Sequence, residues 1–382
     1  MIAVIADDFT GAAEIGGVGV RYGLKVLIET VVYNVDNIDL LVIATDTRSL
    51  DANAASKEVE KIMTQLSKLK PEFIYKKIDS VLRGHVAKEL EAQMRHTGKK
   101  IAMIVAPNPL VGRTIVSGEY FVDSLPLNET FFAKDPDFPV RSAKVTDIVR
   151  SEEFPVISSE LNDNWPDSGI IIANVSNHKE LNQWSLMIDM EMVVAGGSGF
   201  FDALLGTIYH LKASSAQLDL SFGESSLFIF GSLFPKSTTL LEKLNNSKII
   251  RMNMPEDIYY STGSCEILIE NWAAEIVSQL SSGFSVMVTI DYLPGNEKGL
   301  SFRIRENIGQ LVAKVAKRFE LSDLFIEGGA TTSVILKNLN IIKLVPFFEA
   351  DFGIIQMKAE GYPNLCITTK PGSYIWPGNV EF

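Results

Sequence analysis

Two rhythms of apolar residues alternate along this chain. Short unbroken apolar runs, each the length of a buried strand, are separated by longer stretches in which apolar positions recur at helical spacing. The runs predict strands near 2–6, 25–29, 40–45, 73–78, 101–106, 170–174 and 192–196, then near 227–231, 248–252, 285–290, 323–327, 343–348 and 365–369. Between them, Val59, Ile62, Met63 and Leu66 mark a helix over 54–69, and similar patterns mark helices over 273–280 and 308–319. Strands alternating with helices predict an α/β fold in two domains, each with a mostly parallel sheet flanked by helices. The Ser-rich stretch 213–226, interrupted by Gly223, reads as a linker joining domains 1–212 and 227–382. One segment breaks the rhythm: 108–140 is rich in Pro, Gly, Asp and Asn. It reads as an irregular functional loop carrying a hairpin, Thr114–Val116 against Tyr120–Val122, turned at Ser117–Gly118.

A length of 382 residues fits two cores better than one. The net charge of −12 argues against nucleic acid and anionic membranes as partners, so any anion site must be locally basic. Two distant cysteines and four histidines without metal-ligand spacing make a disulfide framework or a structural zinc improbable. The first strand meets two acids at once, which is unlike a signal peptide, and no apolar run approaches the ~20 residues of a membrane span. A cytoplasmic location is the expectation, and a homodimer is left open.

Chemistry is expected where strands end. Ligands of open α/β sheets bind beyond the carboxyl ends of the strands, where Asp7 and Asp8 follow the first run and Thr10 and Gly11 open a helix. One acid would suffice as a helix cap; two adjacent acids repel, so one of them should meet a hydroxyl, a base or a metal ion. The run 73–78 ends likewise in Asp79, followed by Ser80, Arg83, Gly84 and His85. Lys76, Lys77 and Arg83 make this the most basic strip of an acidic chain, although strand alternation lets only one of the two lysines face a site. Arg83 suits bidentate binding of a carboxylate or phosphate. Three further strand ends carry glycine or lysine: Gly231-Ser232, Gly328-Gly329 and Lys370-Pro371-Gly372. The first fails the P-loop template, because Lys236 stands where a second glycine belongs. A dinucleotide fold is disfavoured, since no G-x-G-x-x-G follows the first strand.

Together the stretches ADDFTGA, KIDSVLRG, GRTIVSGEYFVDSLPLNETFFAKDP, GSLFPKST, GGATT and KPGSYIWP resemble, in order and spacing, the motifs of the four-carbon acid sugar kinase family. The resemblance spans nearly the whole chain. It implies ATP-dependent phosphorylation of a sugar acid such as threonate, erythronate or a 3-oxo form, with an N-terminal sugar-acid domain, a C-terminal nucleotide domain, and ATP and Mg²⁺ as cofactors. On the substrate side it implies Asp7, Asp8, Thr10, Lys77, Asp79, Ser80, Arg83 and Gly84, with Gly112, Arg113 and Asp123 from the loop. On the nucleotide side it implies Gly231, Ser232, Gly328, Gly329, Ala330, Thr331, Lys370 and Gly372. Ala330 stands where the family usually has Asp or Glu. Asp8 or Asp79 is the expected proton acceptor, Asp8 the favoured one, with Lys77 and Arg83 on the substrate carboxylate. The alternative is a degenerate relative that binds the acid as a sensor without turning over ATP.

Overall fold

The computed structural model describes every residue except 34–35, 136–137, 213–222, 224, 231–247, 262, 291–298, 373 and 375–382. The chain divides into two compact units, Met1–Ser214 and Ser215–Phe382. Most of the stretch read as a linker, and the Gly231-Ser232 turn, lie outside the described residues.

In the first unit, β1 (Ile2–Ala6), β2 (Val26–Glu29), β3 (Leu40–Ala44), β4 (Phe73–Lys77), β5 (Ile101–Val105), β9 (Val156–Ser159), β10 (Gly169–Ala173) and β11 (Met192–Gly196) form one parallel sheet, ordered β2-β3-β1-β4-β11-β5-β10-β9. β1, β3 and β10 are buried at every position, as strands covered on both faces must be. The helices are α1 (Phe9–Arg21), α2 (Ala52–Leu69), α3 (Val86–Thr97), α4 (Val145–Ile148), α5 (His178–Leu186) and α6 (Ser198–Thr207). α2 begins where the Asp51 carboxylate accepts hydrogen bonds from Asn53 and Ala54 N–H. Its apolar stripe, Val59, Ile62, Met63 and Leu66, packs on Ala3, Ile5, Leu41 and Ile43 of the sheet.

The chain runs from β1 outward to β2, returns to β3 on one side of β1, and then crosses to β4 on the other side. That reversal is a topological switch point, where the loops diverge and leave a crevice at the carboxyl ends of the strands. The register is level there: Ala6 lies beside both Ala44 and Lys77, so all three strands release their next residues side by side.

The loop 108–140 is less irregular than its composition suggests. β6 (Arg113–Val116), β7 (Glu119–Val122) and β8 (Leu125–Pro126) form a small antiparallel sheet. Ser117 and Gly118 turn it, both at positive φ. Ile115, Tyr120, Leu127, Phe132 and Val140 from this segment join Ile104, Leu90 and Val193 in one buried cluster, so the segment completes the core.

In the second unit, β12 (Ser226–Phe230), β13 (Ile249–Asn253), β14 (Ser285–Thr289), β15 (Asp323–Glu327), β16 (Lys343–Asp351), β17 (Ile354–Ala359) and β18 (Tyr362–Lys370) are ordered β13-β14-β12-β15-β18-β17-β16. The first five are parallel; β17 and β16 are added antiparallel. Helices Glu266–Ser281 and Leu300–Ala316 begin earlier than the apolar pattern predicts: the first turn of the former is largely solvated, and that of the latter is only partly buried, with polar Ser301 and Arg303 breaking the periodicity. Among the described residues, no helix is long and apolar enough to cross a membrane.

Lys76 and Lys77, adjacent on β4, find acidic partners on opposite faces. Lys76 Nζ lies 2.6 Å from Glu89 Oε2 in the first turn of α3, and Lys77 Nζ lies 3.6 Å from Glu14 Oε2 on α1. The Lys76–Glu89 pair is fully buried. Removing one partner from such a pair leaves a charge stranded in low dielectric. Glu89→Ala should therefore cost about 3–5 kcal/mol of stability, seen as a lower urea midpoint. The double replacement Lys76→Met, Glu89→Leu should recover most of that loss; if it does not, packing rather than charge explains the cost.

Candidate active site

Asp8 is the N-cap of α1. Its Oδ1 accepts from Gly11 N–H at 2.7 Å, and its Oδ2 meets Arg48 Nη1 at 2.9 Å. Asp7 is buried, and its Oδ2 accepts from Arg48 Nε at 2.9 Å and lies 2.8 Å from Arg48 Nη2, while its Oδ1 has no hydrogen-bond partner. Burial raises the Asp7 carboxyl above its ordinary pKa; Arg48 opposes that rise and Asp8 adds to it.

Arg48, which the sequence reading did not single out, holds the acids together. It lies in the 3₁₀ turn Thr47–Ser49 after β3. The turn is pinned by its backbone: Thr45 Oγ1 donates to the Ala6 carbonyl at 2.8 Å and Arg48 N–H donates to the Asp7 carbonyl at 3.1 Å. A third acid completes its shell, with Asp79 Oδ1 3.4 Å from Nη1. Burial works against the Arg48 charge, yet Asp7, Asp8 and Asp79 together hold its pKa well above the ordinary value. The only sequence signal was a lone arginine just past a strand end, in TDTRS.

Asp79 is more heavily engaged. It accepts from Val81 N–H at 3.2 Å, Arg83 N–H at 3.1 Å, Arg83 Nε at 2.9 Å and Arg83 Nη2 at 2.8 Å. Burial would raise its carboxyl, but Arg83 and Arg48 overcome that and hold it far below the usual carboxylate range. Arg83 also donates to Asp135 Oδ2 at 2.7 Å and lies 5.0 Å from the centre of the Phe132 ring, tying the loop to this bank. Arg113 Nη1 donates to Ser80 Oγ, and Tyr120 O–H donates to the Ser80 carbonyl.

Two glycines make this packing possible. A Cβ on Gly11 would lie 2.8 Å from both Asp8 Oδ1 and Lys77 Nζ. Gly84 has φ +91°, and a Cβ there would lie 3.1 Å from Arg48 Cγ.

The structure thus brings Asp7, Asp8, Lys77, Asp79, Ser80, Arg83, Gly84 and Arg113 into one cluster around Arg48, with Thr10 buried in the first turn of α1. Asp123 is exposed on the hairpin, where its N–H donates to the Gly112 carbonyl at 2.8 Å. His85 precedes α3, its Nε2 2.6 Å from the Leu50 carbonyl oxygen. In the second unit, Gly328 has φ +100° and precedes the helix Gly329–Asn338, which carries Ala330 and the buried Thr331 in its first turn. Gly328 N–H donates to the Lys370 carbonyl at 2.9 Å, and buried Lys370 Nζ donates to Glu327 Oε2 at 3.2 Å and the Pro371 carbonyl at 2.8 Å. Gly372 follows that lysine. Glu327, paired with Lys370, also went unmarked in the sequence.

Fold and site define a two-unit α/β protein with a charged polar cluster at the carboxyl ends of a parallel sheet. Residues 2–204 match the family model of a sugar-binding N-terminal domain, and residues 227–374 that of a nucleotide-binding C-terminal domain. The chain belongs to the family built from these two domains, the four-carbon acid sugar kinase family. It is similar to a D-threonate kinase of Salmonella typhimurium, 37% identical over 42% of this chain and 39% of that one. It is similar also to a D-erythronate kinase of Heliobacterium modesticaldum, 34% identical over 40% of this chain and 36% of that one. The matched region therefore spans about two-fifths of each of these relatives. A 3-oxo-tetronate kinase of Haemophilus influenzae is 22% identical over 89% of this chain and 88% of its own. Among solved structures, a Salmonella typhimurium protein described as a putative tRNA synthase has a TM-score of 0.76 at 20% identity, covering 98% of this chain and 96% of that one. A Haemophilus influenzae protein has a TM-score of 0.69 at 20% identity, covering 97% and 96%. These two likenesses carry the fold alone.

Because the Asp79 carboxyl is lowered in the folded protein, it stabilises the fold above its unfolded pKa of about 3.9 and loses that contribution as pH falls below it. Asp79→Asn should therefore be less stable than wild type near neutral pH and should approach wild type as pH falls below about 4. Urea unfolding across that range checks this, and a gap that stays constant with pH would contradict it.

Proposed function

We propose that the chain is an ATP-dependent kinase that phosphorylates a hydroxyl of a four-carbon sugar acid of the threonate, erythronate or 3-oxo-tetronate type. The observation that carries this reading is the Asp7-Asp8 pair at the switch point, gathered with Asp79 on Arg48, in a chain whose two halves match sugar-binding and nucleotide-binding domains.

Phosphoryl transfer asks the protein for an acceptor for the hydroxyl proton, a fixed position for that hydroxyl, and cations for the phosphates. Asp8 suits the first task, being the less buried member of the pair. Asp79, with its lowered pKa and many donors, is a poor base; its part is to hold Arg83 and the loop. Lys77 and Arg83 already carry the carboxylates of Glu14, Asp79 and Asp135, so a substrate carboxylate must share or exchange those contacts. Ser80 and Arg113 stand on the same bank and add donors for it.

A protein-held Mg²⁺ does not fit this cluster. Asp7, Asp8 and Asp79 all turn onto the Arg48 cation, and among the described residues no three His, Cys, Asp or Glu side chains converge as a metal site. Mg²⁺ with few or no protein ligands, held by phosphates and water, is common in phosphoryl transfer and is compatible with the arrangement. One observation favours the sensor reading: Lys370 is buried against Glu327, and Ala330 supplies no polar group to the helix start beside it.

A coupled ADP-release assay with Mg-ATP against threonates, erythronates and their 3-oxo forms tests the reading. One acid should be phosphorylated, and Asp8→Asn should lower kcat by about 10²–10⁴-fold, the usual worth of a general base. No turnover across the panel, with calorimetry detecting acid binding but no ATP binding, would replace the kinase by the sensor.

A further inference from the structure

We propose that Arg48 is a positioning residue for the reaction proposed above: its one guanidinium gathers Asp7, Asp8 and Asp79 into a fixed set, so that Asp8 meets the acceptor hydroxyl in one orientation. The inference rests on that kinase reading for its catalytic part. Its structural part stands on geometry alone.

Three carboxylates within reach of one side chain would otherwise repel one another, and one or more would take up a proton. Arg48 opposes this with a fork rather than a point charge. Nε and Nη2 reach Asp7 Oδ2 at 2.9 and 2.8 Å, while Nη1 reaches Asp8 Oδ2 at 2.9 Å and Asp79 Oδ1 at 3.4 Å. Lysine could neutralise charge here but could not span three acids in one plane. The arginine is itself immobilised: its N–H is bonded to Asp7, its side chain is largely buried, and its Cγ would lie 3.1 Å from any Cβ at Gly84. With Oδ1 on Gly11 N–H and Oδ2 on Arg48, the Asp8 carboxylate plane is set from both ends. The position among acids that a divalent ion takes in other phosphotransfer sites is filled by a side chain.

Other charges face this set from each neighbouring element. Lys77 of β4 approaches Asp8 across Gly11, and Lys76 with its partner Glu89 acts on Asp7 from beneath. Glu14 of α1 draws Lys77 away, and Arg83 shares Asp79 with Arg48. None of these bridges all three acids, so the loss of Arg48 is not made good by a neighbour.

The test uses the full chain carrying Arg48→Met and, because that variant strands three acids at a cost to folding, Arg48→Lys as well. In an active wild type, either folded variant should keep its KM for ATP and lose about 10²-fold or more in kcat, as expected when a general base is misplaced. Its acidic limb should move upward by about one pH unit or more in Arg48→Met, the shift an opposite charge at this distance produces, and by less in Arg48→Lys. Unchanged kcat and an unchanged limb in a folded variant would overturn the inference while leaving the kinase reading intact. Carbon-13 NMR titration of the aspartate carboxyls gives a readout free of turnover. Carboxyl midpoints should rise in Arg48→Lys, and midpoints that stay where they are in wild type would overturn the positioning role even if no sugar acid is ever phosphorylated.

Discussion

Like charges crowded into a buried corner must be compensated, and in the first unit this requirement falls on one guanidinium. Parallel register forces the crowding: β1, β3 and β4 end level, so Asp7-Asp8 and Asp79 leave the sheet as neighbours. The segment after β3 answers by bending at Asp46, a residue at positive φ, and laying Arg48 across them. The glycines at 11 and 84, the buried arginine and the pinned 3₁₀ turn are consequences of that one electrostatic demand.

A second compensated layer lies under the first. Lys76 and Lys77 point to opposite faces of β4, and each finds a glutamate on the helix covering its face. The most basic strip of the chain is therefore not a bare anion trap. Its cations are spoken for before any ligand arrives, and an anionic substrate competes with internal carboxylates rather than with water. A site built this way discriminates by geometry more than by charge, since only a ligand able to re-satisfy the displaced donors gains free energy on binding.

Much of this was legible in the sequence. Fully buried strands write themselves as unbroken apolar runs, so the parallel strands other than β9 stood out, and the Asp7-Asp8 pair was conspicuous because adjacent acids at a strand end are costly. The hairpin was read from Ser117-Gly118 because both positions must take positive φ. Strand β17 escaped notice because it lies against β16 and β18 without a helix to set it apart. β9, an edge strand half-buried at most of its positions, lacks a strong apolar run. Arg48 escaped for a different reason. Its partners lie 41 residues back at Asp7 and beyond the next strand at Asp79, and only the order of strands in the sheet brings them together. The pairing of Arg83 with Asp135, 52 residues on, was hidden in the same way.

The glycine at position 11 ties this arrangement to how such a protein can change over generations. A methyl group there would press on both Asp8 Oδ1 and Lys77 Nζ, so a larger residue at position 11 must push two charged groups aside. The exposed positions of the β6–β7 hairpin, Val116 and Glu119, carry no such constraint, since replacements there disturb no buried charge. That division, with a constrained centre and a permissive rim, places tolerated change at the margin of the charge cluster rather than within it.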